Sequence, residues 1–169
     1  VNRHRGGAAL LDEPELLFSI VQAVRKALPA AISVTAKMRL GIKDQSRMIE
    51  NAQALEQAGA SSITVHARTK EAGYRPPADW EALAKIREAI AIPLIANGEV
   101  WTVQDAQQCL AVSGCKDLML GRGAVSNPQL VNGVRNQTQD VMSWLALLTW
   151  QKHFLCTMFP EHKRSEEHT

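Results

Sequence analysis

Apolar residues at Leu16, Leu17, Ile20, Val21, Val24 and Leu28 recur at the three-and-four spacing of one helix face. This predicts a helix over residues 13–28, with Pro14 in its first turn and Pro29 just past its end. Apolar positions then fall at every second residue, Ile32, Val34, Ala36, Met38 and Leu40, predicting a strand over 32–40 that Gly41 stops. The switch of period repeats. Helical spacing over 45–58, with Gly59 as a stop, precedes a strand at 62–67. Asp79 as N-cap opens a helix to Ile90, ahead of a strand at 92–96. Thr102 and Asp105 form a capping box for a helix through Val112, Gly114 stops it, and 118–120 is the fourth strand. From Asp140 to Phe159, Val141, Trp144, Leu145, Leu148, Phe154, Leu155 and Met158 predict an amphipathic helix with no strand after it.

Strands thus alternate with helices about every 25 to 30 residues, the length of a βαβ unit. Such alternation predicts a parallel α/β sheet with right-handed crossovers, because parallel strands need a long return path. A closed barrel and an open doubly wound sheet both satisfy it. The absence of GxGxxG after any strand lowers the dinucleotide-binding sheet and favours half of an eight-stranded barrel. A complete barrel needs roughly 250 residues, so a chain of 169 is expected to be part of a longer protein. The last helix is either the first of a second, all-helical domain, joined by the polar stretch 132–139, or a terminal helix closing the barrel.

Composition removes several classes. Nineteen Lys and Arg against 17 Asp and Glu leave a charge of +2, and 46% of residues are hydrophobic, which suits a folded chain. No apolar run reaches the roughly 18 residues of a membrane span, and no charged-then-apolar leader opens the chain. Cys109, Cys115 and Cys156 form no CxxC pair, so a reducing, cytoplasmic setting is expected, without a disulfide scaffold. No His, Cys or carboxylate cluster has metal spacing, and no metal or membrane partner is expected. Cys109 and Cys115 read as packing residues.

The unusual residues gather at strand ends. Asn97-Gly98-Glu99 and Gly121-Arg122 follow successive strands, where glycine admits close backbone approach to an anion and Arg adds a fork of donors. That reading is phosphate; the alternative is tight turns alone. Lys37, near a strand end among apolar neighbours, is either an ammonium facing the interior, where it stabilises negative charge, or a stem reaching solvent. His66 is either a cofactor contact or a satisfied buried histidine. Arg68, Lys70, Tyr74 and Arg75 make a basic loop with an aromatic, suited to RNA phosphates and a stacked base, or else solvated surface. Arg3, His4 and Arg5 add a second small basic patch.

Five ordered segments carry a resemblance. Val1-Asn2-Arg3-His4-Arg5-Gly6-Gly7-Ala8, Lys37-Met38-Arg39-Leu40-Gly41, Val65-His66-Ala67-Arg68-Thr69-Lys70, Ile95-Ala96-Asn97-Gly98-Glu99 and Leu120-Gly121-Arg122-Gly123-Ala124 are similar to those of the tRNA-dihydrouridine synthases. The opening segment, with Gln107-Gln108-Cys109 and Ser113-Gly114-Cys115, most resembles the bacterial C-type members, which act on uridine 16 of the tRNA D-loop. The resemblance implies the carboxyl-terminal half of a TIM (β/α)8 barrel over 1–131 and the start of a helical tRNA-binding domain over 132–163. It implies an FMN-dependent reduction of the uridine C5–C6 bond in a monomeric enzyme, with NADPH reducing the flavin. Lys37 and His66 are then expected beside the isoalloxazine, with Asn97, Gly98, Glu99, Gly121 and Arg122 on the ribityl and phosphate. Arg68, Lys70, Tyr74 and Arg75 are expected to face tRNA. Hydride goes to C6 and an acid protonates C5.

In the family that acid is a cysteine in a Gly-Cys-Pro motif, expected shortly before Val1, so no residue of the chain is a catalytic candidate and the chain by itself is expected to be inactive. Residues 164–169, Arg-Ser-Glu-Glu-His-Thr, have no counterpart in the family. They read as the conceptual translation of a sequencing-library adapter, or as a plain polar tail. Two other functions fit the residues: an FMN barrel reducing a free pyrimidine, of the dihydroorotate or dihydropyrimidine dehydrogenase kind, and a noncatalytic tRNA-binding module.

Overall fold

A computed structural model describes residues 6–138 and 142–158. The basic patch at 3–5 and the expected tail at 164–169 lie outside the described residues. A 3-10 turn at Gly7–Asp12 leads into α1 (Pro14–Ala27). Then follow β1 (Thr35–Arg39), α2 (Met48–Gln57), β2 (Ser62–His66), α3 (Trp80–Ala89), β3 (Leu94–Asn97), α4 (Val103–Ser113) and β4 (Asp117–Met119). Short helices α5 (Arg122–Ser126) and α6 (Leu130–Asn136) precede α7 (Trp144–Met158).

The caps sit where the side chains demand them. Asp79 Oδ1 accepts from Ala82 N at 2.9 Å to open α3. Thr102 and Asp105 exchange the two bonds of a capping box at α4, and Gly114 ends that helix with φ 65°. Strand starts differ from the periodicity. Ile32 N donates to Pro29 O, so the chain is still turning after α1 and β1 begins at Thr35. Ala91 N and Ile92 N both donate to Glu56 Oε1, and Pro93 has no N–H to give, so β3 begins at Leu94. Asp44 Oδ1 holds Ser46 N and Oγ in a turn, which delays α2 to Met48.

The four strands are parallel in the order β1-β2-β3-β4. This is the succession of neighbours in a barrel wall and lacks the reversal of a doubly wound sheet. Right-handed crossovers that all step the same way put every helix on one face, and α1 to α4 pack there in succession. The core lies between. Leu40, Ile63, Val65 and Ala96 point from the sheet toward Leu83 and Ile86, all fully buried.

The opposite face takes the alternate residues. Register aligns Lys37 with Thr64, Ile95 and Asp117, and aligns Arg39 with His66, Asn97 and Met119. Four chemically active positions therefore come from one strand-end row and its neighbour.

The expected boundary at 131/132 falls inside α6. Buried Leu130 and the partly buried Val134 bring that helix onto α4 and the core, so residues 132–136, polar in composition, are helix and not a joining stretch. No side chain of α7 is buried. No helix among the described residues is long and apolar enough to cross a membrane.

Candidate functional site

The carboxyl ends of the strands and the loops beyond them enclose a cavity of about 560 Å³, within the range of small-molecule sites. Lys37 and His66 line it from β1 and β2. Asn97, Gly98 and Glu99 line it from the end of β3, and Gly121 and Arg122 from beyond β4. Gly7, Ala8 and Leu11 of the 3-10 turn supply an apolar wall. The cavity thus brings together every residue expected at a cofactor.

The basic loop divides. Tyr74 lines the cavity and is 62% exposed. Lys70 and Arg75 are exposed outside it. Arg68, expected on the RNA-facing surface, is instead 2% exposed and part of the cavity wall. Its burial has a cause in its partners: Nε donates to Arg75 O at 2.7 Å, Nη1 meets His66 Nε2 at 3.3 Å, and Nη2 pairs with Glu99. A buried guanidinium needs such a set.

Among the described residues Glu99 is the only carboxylate lining the cavity, against Lys37, Arg39, Arg68 and Arg122. Its charge is spent on Arg68, and Arg39 is occupied by the loop after β2, donating to Thr69 O at 3.1 Å and Gly73 O at 3.0 Å. Lys37 and Arg122 make no ion pair among the described residues. They are the cations left for an anionic ligand.

His66 reports the same field. Burial first, then Arg39, Arg68, Lys37 and Arg122, lower its pKa from 6.5 to about 4. At neutral pH the ring is uncharged. Because an Arg only donates, His66 Nε2 accepts from Arg68, which places the imidazole proton on Nδ1.

The loop after β3 is tightly determined. Asn97 Nδ2 donates to Met119 O at 2.7 Å, tying two strand ends together. Gly98 has φ 121°, and a Cβ there would stand 3.0 Å from His66 Cδ2. Gly98 O accepts from Trp80 Nε1 at 3.1 Å. At Gly121 a Cβ would meet nothing within 4 Å, leaving open space beside Arg122.

Two residues of the site carried no sequence assignment. Arg39 stood in the Lys37-Met38-Arg39-Leu40-Gly41 segment, and the strand period puts it on the face of Lys37, but its role as a loop anchor depends on carbonyls far along the chain. Trp101 follows the Asn97-Gly98-Glu99 loop directly, where the cap of α4 fixes its backbone. An aromatic between a strand-end glycine and an N-cap was the available signal.

Cys109 and Cys115 are buried and do not line the cavity. Burial, then the neighbouring Cys115, pushes the Cys109 thiol up to about 12. Among the described residues no group of three or more His, Cys, Asp or Glu is placed to hold a metal.

The family model of the dihydrouridine synthases (Dus) matches residues 1–165. A tRNA-dihydrouridine(16) synthase of Ralstonia nicotianae is 59% identical over 137 residues, covering 81% of this chain and 42% of that protein. One from Cupriavidus necator is 54% identical over 151 residues, covering 88% and 47%. The chain therefore spans under half the length of these curated relatives. Among solved structures, a mandelate oxidase with benzoyl-formic acid superposes with a TM-score of 0.46 at 16% identity, over 79% of this chain and 54% of that one.

Proposed function

The chain belongs to the dihydrouridine synthase family, and on that premise we propose that its cavity is the FMN site of an enzyme reducing uridine to 5,6-dihydrouridine in the D-loop of tRNA, at position 16, with NADPH as reductant. The observation that carries this reading is convergence: seven residues from four separate strand-end segments line one cavity in which cations outnumber carboxylates. The donor set fits the cofactor. Lys37 and Arg122 offer charge for a phosphate or a reduced ring, Asn97 and neutral His66 offer polar contacts, and the 3-10 turn offers an apolar wall.

Held by Lys37, Asn97 and Arg122, FMN would supply the hydride for uridine C6. Lys37, exposed on the cavity-lining face of β1, stabilises negative charge as it develops. His66, kept neutral, orients by hydrogen bonding and adds no charge. Tyr74, exposed at the mouth and flanked by Lys70 and Arg75 along the loop, offers a face for a base and cations for the RNA backbone. The proton for C5 is assigned to no residue of this chain. Buried Cys109 and Cys115 are outside the cavity, and the resemblance puts the acid in a segment preceding Val1.

In the same reading the four strands are the carboxyl-terminal half of a (β/α)8 barrel, and α7 opens the helical domain. The test uses the full-length protein: flavin absorbance after purification, and dihydrouridine in tRNA from a synthase-deficient strain. Bound flavin together with dihydrouridine at position 16 is expected. Flavin without a tRNA product favours a reductase of free pyrimidines; tRNA binding without flavin favours a noncatalytic module. The Lys37→Ala substitution is expected to lower turnover at least tenfold, the usual scale for losing one charge-stabilising group.

A further inference from the structure

Trp101 has its backbone fixed before its side chain acts. Trp101 N and Thr102 N both donate to Asp105 Oδ2, at 3.0 and 2.9 Å, so the residue is part of the α4 cap. From that anchor the indole does two things. Its Nε1 donates to Glu99 Oε1 at 2.9 Å, and its ring lies against the Arg122 guanidinium, with Cζ 4.9 Å from the ring centre. Tyr74 offers Arg122 a second ring at 4.7 Å.

Arg122 is exposed and makes no ion pair among the described residues. A carboxylate partner would occupy its N–H donors. Aromatic faces hold the cation electrostatically and accept none of the in-plane hydrogen bonds. The guanidinium is therefore held in place with its donors available, next to the open space at Gly121.

We propose that Trp101 is the positioning residue for the anion end of the cavity: it holds Arg122 ready for a phosphate monoester and so sets the preference for a phosphorylated over an unphosphorylated ligand. This rests on the FMN reading above. Tyr74, on the loop that Arg39 and Arg68 hold through Gly73 O and Arg75 O, offers the second ring, and Trp101 is the ring that joins the guanidinium to the α4 cap.

The test measures FMN and riboflavin dissociation constants, by flavin fluorescence, on the full-length protein. Trp101→Ala is expected to weaken FMN about fivefold, the upper scale of an exposed cation–π contact, and riboflavin less than about twofold. Trp101→Leu keeps apolar bulk without a π face and carries the same expectation. Trp101→Phe, which keeps a ring, retains most of the preference. A Trp101→Ala/Arg122→Gln double variant binds FMN no more weakly than Arg122→Gln alone, because both changes act through one guanidinium. Equal weakening of both flavins, additive losses in the double variant, or full FMN affinity in Trp101→Ala while Arg122→Gln is impaired would each overturn the proposal and leave the FMN reading intact. A wild-type protein that binds neither flavin overturns the FMN reading, and the role of Trp101 with it.

Discussion

Gly98 and Glu99 are consecutive residues with positive φ, 121° and 60°. Glycine adopts this freely, whereas Glu99 does so at a cost of order 1–3 kcal/mol, offset by its pair with Arg68 and its bond from Trp101. The strain turns one carboxylate back over the cavity to balance one buried cation. His66, against Gly98, gives a testable consequence. Its folded pKa is about 4, below the ordinary 6.5, so between those values the unfolded chain takes up a proton that the folded one refuses. The contribution of His66 to stability is complete above about 6.5 and is lost as pH falls toward 4. Thermal unfolding from pH 7 to 4 is expected to show a steeper loss for the wild type than for His66→Gln; parallel profiles would remove this account. The candidate chemistry at this scale was legible because Lys, His, Asn-Gly-Glu and Gly-Arg stand out at strand ends. The burial of Arg68 was not, since a charged residue in a polar loop looks the same in sequence whether or not Glu99 reaches it.

Elements end where local side chains can satisfy backbone groups, and those signals are short-range. Asp79, the Thr102 and Asp105 box and Gly114 all act within a few residues, so the sequence reading and the structure agree on them. Strand starts depend on distant partners: Glu56 accepts from the N–H groups of Ala91 and Ile92, and Ser61 N donates to Val34 O. No periodicity contains that. At α4 the cap also supports the site, and its two halves are separable. Thr102→Ala removes the bond to Asp105 N but leaves Asp105 holding the N–H groups of residues 101 and 102. Urea denaturation is expected to show a loss of about 1 kcal/mol with FMN affinity unchanged, and a parallel loss of FMN affinity would show that the whole cap is needed to place Trp101.

At the scale of the whole molecule, one sheet face is filled by helices and the other presents the chemistry. Leu16, Ile20, Val24 and Leu28 form a stripe along α1 that is 37–44% exposed, and β1 and β4 are the edges of the sheet. Such surfaces call for neighbours. The 169-residue chain made alone is expected to bind a hydrophobic dye and to form no dihydrouridine, while the full-length protein shows little dye binding; turnover by the chain alone would refute this. The alternation of periods by itself determined the order of strands and helices, the caps and the strand-end residues, because each follows from hydrogen bonds and apolar spacing within a few residues. Only the tertiary structure decided the β1-β2-β3-β4 order, the alignment of Arg39, His66, Asn97 and Met119, the burial of Arg68 and the rings around Arg122. Those depend on which distant segments meet, and through-space pairing leaves no mark on the local pattern of a chain.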